Sequence, residues 1–283
     1  MPGIMAAMIA AHVPTLGRAE ITPDYQKTLV DAERRLGALV REKLKPDLWV
    51  LISAHWVATF DWVTTCQAVH DGICVADEAP NLIPGSPYRY QGDPEFAAAL
   101  IEAFGKVNVP AARNDSEHYG WDYGTYVPLS HLDPGAQVAV VGLPSVLMAD
   151  HAECLRAGVA VHETAKRLGR NVVFVASTAL AHVLIRGRQN WPTPPRMEAD
   201  KRFIEMMKRG AIDEAVTGLA DYTKANGVEM GGRPLATFLG VAQAMQAEGR
   251  RLTAQQYGEY AQSSGSGNTV LLLSDSETLR RVQ

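Results

Sequence analysis

Five stretches of unbroken apolar or small residues punctuate the chain, at 4–10, 48–53, 138–143, 172–177 and 269–273. A strand with one wet face alternates, whereas a continuous run of this length is expected of a strand covered on both faces. Between the runs the spacing changes to that of helices. Residues 23–47 place Leu29, Leu36, Leu39, Val40 and Leu44 on roughly one face. This predicts a long helix capped by Asp24 or Thr22 and ended with the help of Pro46. Similar patterns cover 93–104, 150–169, 198–210, 212–226 and 233–249. Strands alternating with helices predict an α/β fold: a layered domain with a central mixed or mostly parallel sheet and helices on both faces. Two Pro- and Gly-rich stretches, 77–95 and 186–198, are expected to be long surface loops and walls of a site. No composition break or internal repeat divides the chain, so residues 1–283 are read as one domain.

Composition narrows the partners. The chain is 47% hydrophobic and 20% charged, enough to bury a large core. A net charge of −4, with both signs mixed along the chain, offers no basic stripe for nucleic acid and no polybasic patch for a membrane. Small molecules are the expected partners. Three widely spaced cysteines argue against a disulfide framework and for the reducing cytoplasm. No run reaches the roughly 18 apolar residues of a spanning helix, and the start of the chain lacks a signal's charged region.

Three histidines follow apolar runs: His12, His55 and His182. In open α/β sheets ligands gather outside the carboxyl ends of the strands, so the fold would bring all three to one rim. Two histidines and a carboxylate on one face of a divalent ion, with the other face open, suit a non-haem Fe(II) oxygenase. The same donors suit Zn²⁺ with a water in the fourth position, and the residues alone leave a zinc hydrolase open. Among 31 acidic residues, Glu229 stands out because it lies among glycines just before a helix, where the backbone can approach a site closely.

The segments "AAHVPTL", "ISAHWV", "WDYGTYVPL", "ASTALAHVL", "NGVEMGGRPLATFLG" and "SSGSGN" occur in this order between residue 12 and about residue 268. Together they resemble the class III (LigB-type) extradiol ring-cleavage dioxygenases, and most of all the homoprotocatechuate 2,3-dioxygenase and 2-aminophenol 1,6-dioxygenase branch. The resemblance implies that His12, His55 and Glu229 ligate Fe(2+) and that His182 is the acid/base histidine. Tyr123 stands where the protocatechuate 4,5-dioxygenase branch has histidine, and it is expected to hydrogen bond to substrate or to an oxygen-derived atom. His118 is a candidate to replace the absent histidine. The implied substrates are O2 and a catecholic acid or an aminophenol, opened to a semialdehyde-type product. The implied assembly is a homo-oligomer, a dimer or larger, or a pairing with a related subunit. A catalytically silent subunit and a MEMO-like binding protein share the fold and are the alternatives.

Arg89, Arg113, Arg186, Arg188 and Arg196 lie on loops and could supply a cation for a ring carboxylate, with "RGRQNWP" favoured because it follows His182 closely. The other histidines read as structural: His162 mid-helix, His70 and His151 at loop or cap positions, His131 after a turn at Pro128. "SSGSGN" lacks the lysine and the strand-to-helix setting of a phosphate loop, and no G-x-S-x-G elbow or H-E-x-x-H helix occurs.

Overall fold

The apolar runs form five of the six strands of a sheet whose two faces are both covered. The computed structural model describes residues 2–283. Its elements are β1 (Gly3–Ala10), α1 (Asp24–Leu39), β2 (Leu48–Ala58), β3 (Trp62–Thr65), β4 (Val69–Cys74), β5 (Ser86–Gln91), α2 (Pro94–Lys106), β6 (Ala111–Asn114) and α3 (Tyr123–Leu132). There follow β7 (Ala139–Val146), α4 (His151–Arg167), β8 (Asn171–Ser177), α5 (Pro194–Lys208), α6 (Ile212–Asn226), α7 (Arg233–Ala247), β9 (Leu252–Ser263), β10 (Ser266–Asp275) and α8 (Ser276–Arg281). The main sheet has the order β7-β2-β8-β1-β10-β9. Its first four strands are parallel, β10 runs antiparallel to β1, and β9 antiparallel to β10. The architecture is therefore α/β with a mixed sheet and helices on both faces, as the pattern predicted.

Side chains of β1 divide between two cores. Ile4, Ala7 and Ile9 join Phe96 and Leu100 of α2, Val161 of α4 and Phe238 of α7. Ala6, Met8 and Ala10 join Leu29 and Leu36 of α1 and Val127 of α3 on the opposite face. Each large aliphatic or aromatic side chain fully buried this way contributes about 1.5–3 kcal/mol. Helices α4 and α7 touch almost backbone to backbone: a Cβ on Gly158 would strike the Thr237 carbonyl, and one on Gly240 the Leu155 carbonyl.

Several local expectations are corrected. Neither Thr22 nor Asp24 caps α1; Pro23 holds the N-cap position, Thr22 donates instead to the Thr15 and Arg18 carbonyls, and Asp24 pairs with Lys27. The helix ends in a wider turn over Val40–Leu44, with Lys45 left-handed just before Pro46. Residues 77–95 are not all loop, because β5 pairs with β4 and Asp93 caps α2. Pro128 marks no turn: it lies inside α3, and His131 is a buried helical residue whose Nε2–H donates to the Leu16 carbonyl. Burial pushes the His131 imidazole down to about 4, so it stays neutral. His70 is in a strand, buried, and donates to the Val140 carbonyl. Strand β9 had no continuous apolar run to announce it, because about half of its side chains are partly or fully exposed, unlike those of β7 at the other edge. Among the described residues no helix is long and apolar enough to cross a membrane.

Candidate metal centre

His12, His55 and His182 meet at one end of the sheet because each follows or interrupts a strand at its carboxyl end. His12 comes two residues after β1, whose last pair is Ala10 with Ser177 of β8. His55 lies inside β2, where the pairing with β7 jumps from Ser53–Pro144 to Val57–Ser145. Three residues of β2 thus bulge out with His55 at their centre, a device that re-aims a side chain. The Ser53 hydroxyl pins the bulge by accepting the His55 amide and donating to Asp122, the N-cap of α3. His182 is held past β8 by bridges to Ser266 and, through Ala181, to Val228.

Glu229 enters from a tight turn ahead of α7. Met230, Gly231 and Gly232 are all left-handed, with φ of 48°, 63° and 75°. Glycine takes that conformation freely, and three such residues in succession turn the chain so that Glu229 faces inward. The His151 imidazole braces the turn by donating to the Gly231 carbonyl.

The Glu229 side chain is 3% exposed, and its two oxygens have different surroundings. Oε2 accepts the Ala179 N–H at 2.6 Å and the Thr178 hydroxyl at 3.3 Å. Oε1 faces three Nε2 atoms, those of His12 and His55 at 3.3 Å and that of His182 at 3.2 Å. One ligand atom each from His12, His55 and Glu229 lies within 4.8 Å of the other two, the compactness a single metal ion requires.

Hydrogen bonds on the far sides of the rings decide which nitrogen carries the proton. Pro128 has no N–H to give the Gly124 carbonyl four residues earlier, so that carbonyl accepts the Ser177 hydroxyl. With its proton so committed, Ser177 Oγ accepts Nδ1–H of His12 at 3.1 Å. Nδ1–H of His55 donates to Glu78 at 3.3 Å. Both rings therefore turn an unprotonated Nε2 toward the same carboxylate oxygen, that of His12 directly and that of His55 while it also accepts the Tyr123 hydroxyl. Lone pairs and an anion repel one another at that distance unless a cation sits among them. Two neutral imidazoles, each oriented from behind, and one carboxylate fit a divalent ion and leave a net +1 site.

In the metal-free protein the charge shifts show protons standing in for a cation. Burial alone would raise the Glu229 carboxyl, but the positive charge that the surrounding imidazoles carry when protonated, His12 foremost, holds it well below the usual carboxylate range. Burial lowers the His182 imidazole; Glu229 opposes that, while His12 and His55 reinforce it. Tyr123 donates to His55 Nε2 at 2.7 Å, and burial together with Glu78, Glu229 and Asp122 raises its phenol well above the ordinary value.

These groups line a cavity of about 290 Å³, reached also by Leu82, Arg188, Ser264 and Asn268. That is near the lower end of ligand cavities, about 300 Å³, and is the size for a single ring with short substituents. The two predicted loops do wall it, through Glu78, Ala79 and Leu82 on one side and Arg188 on the other. Of the five loop arginines, Arg188 alone lines it, whereas Arg89 pairs with Asp71 and Arg113 with Asp115. His118 is not brought into the cluster; it is exposed between β6 and α3 and does not line the cavity. "SSGSGN" is a hairpin turn, with Ser264 and Gly265 left-handed between β9 and β10, and its serines and Asn268 form the cavity's far wall. Ser177 and Glu78 went unidentified in the sequence, since neither carries a local signal and both are defined by the partner the fold brings to them.

Comparisons with known proteins point to a family. The family model for the catalytic LigB subunit of aromatic ring-opening dioxygenase matches residues 6–265. The chain is 26% identical to the 2-aminophenol 1,6-dioxygenase beta subunit of a Pseudomonas species, over 95% of this chain and 93% of that one. It is 21% identical to the 3,4-dihydroxyphenylacetate 2,3-dioxygenase of Escherichia coli, over 77% and 82% of the two chains. A crystal structure of an uncharacterized protein from Escherichia coli K12 shares the fold, with a TM-score of 0.68 at 18% identity, covering 95% of this chain and 99% of that one. A family match spanning nearly the whole chain, on a fold that gathers two oriented histidines and a buried glutamate at a ring-sized cavity, means that the chain belongs to the LigB family of aromatic ring-opening dioxygenases, the extradiol ring-cleavage enzymes.

Proposed function

We propose that this chain is an Fe(II)-dependent dioxygenase that opens a catecholic acid and yields a semialdehyde-type product. The observation that carries the reading is the pair of imidazole lone pairs turned on Glu229 Oε1, each 3.3 Å away. His12, His55 and Glu229 would hold the iron. When bound, the metal supplies a common centre at which an electron-rich ring and O2 exchange electrons. His182, neutral at pH 7 because burial lowers it, accepts a proton from a ring hydroxyl and returns it later in the reaction. Tyr123, kept protonated, would turn its hydroxyl from His55 Nε2 to the substrate side of the site once a metal takes that lone pair. Arg188 holds the ring's acidic substituent at the opposite wall.

An aminophenol ring is the second reading, favoured by the Pseudomonas relative's coverage of nearly the whole chain. That relative is named a beta subunit, which supports assembly with a second copy or with a related subunit. Three unpaired, buried cysteines support a cytoplasmic setting, and the main sheet shared by both cores supports one domain. The test is anaerobic loading with Fe(II), then O2 uptake and product absorbance with catechol, protocatechuate, homoprotocatechuate, gallate and 2-aminophenol, with Zn²⁺ loading as control. Turnover of an acidic catechol with iron alone is expected, and Arg188→Leu should cost about 10–100-fold in kcat/KM for the acid while leaving catechol nearly unchanged. Full iron occupancy with no O2 uptake on any of these substrates overturns the reading.

A further inference from the structure

Outside the cavity one buried carboxylate has an unusual set of partners. Asp200 of α5 is fully buried, and no charged group donates to it. It accepts the Ala181 N–H at 3.1 Å, the Tyr222 hydroxyl at 2.7 Å, the Asn226 side-chain amide at 2.7 Å and the Tyr260 hydroxyl at 2.5 Å. Those donors come from four places: the segment after β8, two turns of α6, and β9. Burial raises the Asp200 carboxyl, while its donors favour the charged form. β10 must carry glycine here, because a Cβ on Gly267 would strike both Asp200 Oδ2 and the Tyr260 hydroxyl.

Two of those donors belong to the chain segments that carry the site. Residues 180–182 and 227–229 run antiparallel as a short ladder, with the His182 N–H bonded to the Gly227 carbonyl and the Glu229 N–H to the Leu180 carbonyl. The ladder register sets where His182 stands relative to Glu229. Asp200 grips one side through Ala181, next to His182, and the other through Asn226, three residues before Glu229. We infer that Asp200 is a positioning residue for ring opening: by bonding both sides of this ladder it fixes the 3.2 Å spacing between His182 Nε2 and Glu229 Oε1. It touches neither substrate nor metal. The inference rests on the reading of His182 as the group that moves the proton.

The test compares Asp200→Asn, Asn226→Ala, Tyr260→Phe and His182→Asn as iron-loaded enzymes. Asp200→Asn keeps the size but turns an amide N–H toward groups that are themselves donors. A displacement on the order of 1 Å costs about 100-fold in rate, so kcat should fall about 10–100-fold in Asp200→Asn and about 10-fold in Asn226→Ala, with KM little changed. Amides 179–183 should exchange faster with solvent in both variants, and a crystal structure should show the His182–Glu229 spacing widened. Tyr260→Phe removes a donor without freeing the ladder, so it should lower Tm while keeping kcat close to native. Native kcat and native exchange at 179–183 in Asn226→Ala and in any folded Asp200→Asn overturn the inference, as does an equal loss of kcat in Tyr260→Phe. If His182→Asn itself turns over at the native rate, the reading of His182 fails instead, and the exchange and spacing measurements still judge Asp200.

Discussion

Ser177→Ala removes a single hydroxyl that touches neither the ligand atoms nor the cavity, yet it should weaken metal binding more than most changes within the cavity wall. The hydroxyl donates to the Gly124 carbonyl and accepts Nδ1–H of His12, and Ser177 is fully buried with His12 only 4% exposed. Truncation leaves both groups unpartnered, at about 1–3 kcal/mol each. His12 can escape its share by moving its proton to Nε2, which then bonds to Glu229 Oε1 at 3.3 Å. That proton occupies the direction a metal needs, so binding must first reverse the tautomer. Loss of a group that orients a ligand from behind typically costs 10–100-fold in metal affinity, about 1.4–2.8 kcal/mol. Glu78→Gln is the matched control on the other imidazole. The Glu78 side chain is 62% exposed, so water replaces it and the loss should stay below about threefold. Anaerobic competition for Fe(II) against a chromogenic chelator measures both. Equal affinity in native and Ser177→Ala protein, or a greater loss in Glu78→Gln, would refute the tautomer argument.

Three further outcomes are expected. His182→Asn should retain iron and lose about 10²–10⁴-fold in kcat; iron loss matching that of His12→Ala would make His182 a ligand. In the metal-free protein burial works against a charged His55, but Glu229 outweighs it and raises the imidazole above its ordinary 6.5. Stability from that proton is complete below 6.5 and fades as pH climbs through the raised value, while metal needs the bare ring. The Tm gain on adding Fe(II) should therefore grow from about pH 6 to about pH 8 in thermal-shift titrations, and a flat gain would contradict it. Gly240→Ala drives a methyl into the Leu155 carbonyl between α7 and α4 and should cost about 1–3 kcal/mol in urea unfolding.

The sequence announced those parts of the fold that are buried on both sides. Strands β1, β2, β7, β8 and β10 are continuous apolar runs because helices cover both faces, and the same covering made α1, α4 and α7 periodic. Strand β9 was illegible for the converse reason: as a half-wet edge it mixes Gln, Glu and Tyr in no single pattern. Helix α3 was hidden by Pro128, which reads as a turn but here removes one N–H and so frees the Gly124 carbonyl for Ser177. Histidines at strand ends could be collected onto one rim by topology alone, without knowing which side chains met. Partners such as Glu78, Ser177 and Asp200 could not be found that way, because a lone Ser or Asp in sequence carries no sign of what will be donated to it across 19 to 165 residues of chain.

The position of β1 in the sheet has a consequence for how the polypeptide is made. This first strand lies between β8 and β10, so both of its neighbours are translated late: residues 171–177 and 266–275. Until residues 171–177 have emerged, a nascent chain therefore carries an apolar ribbon with two raw edges, a state prone to sticking to other strands. A chain cut short before β10 would leave one flank of β1 permanently open.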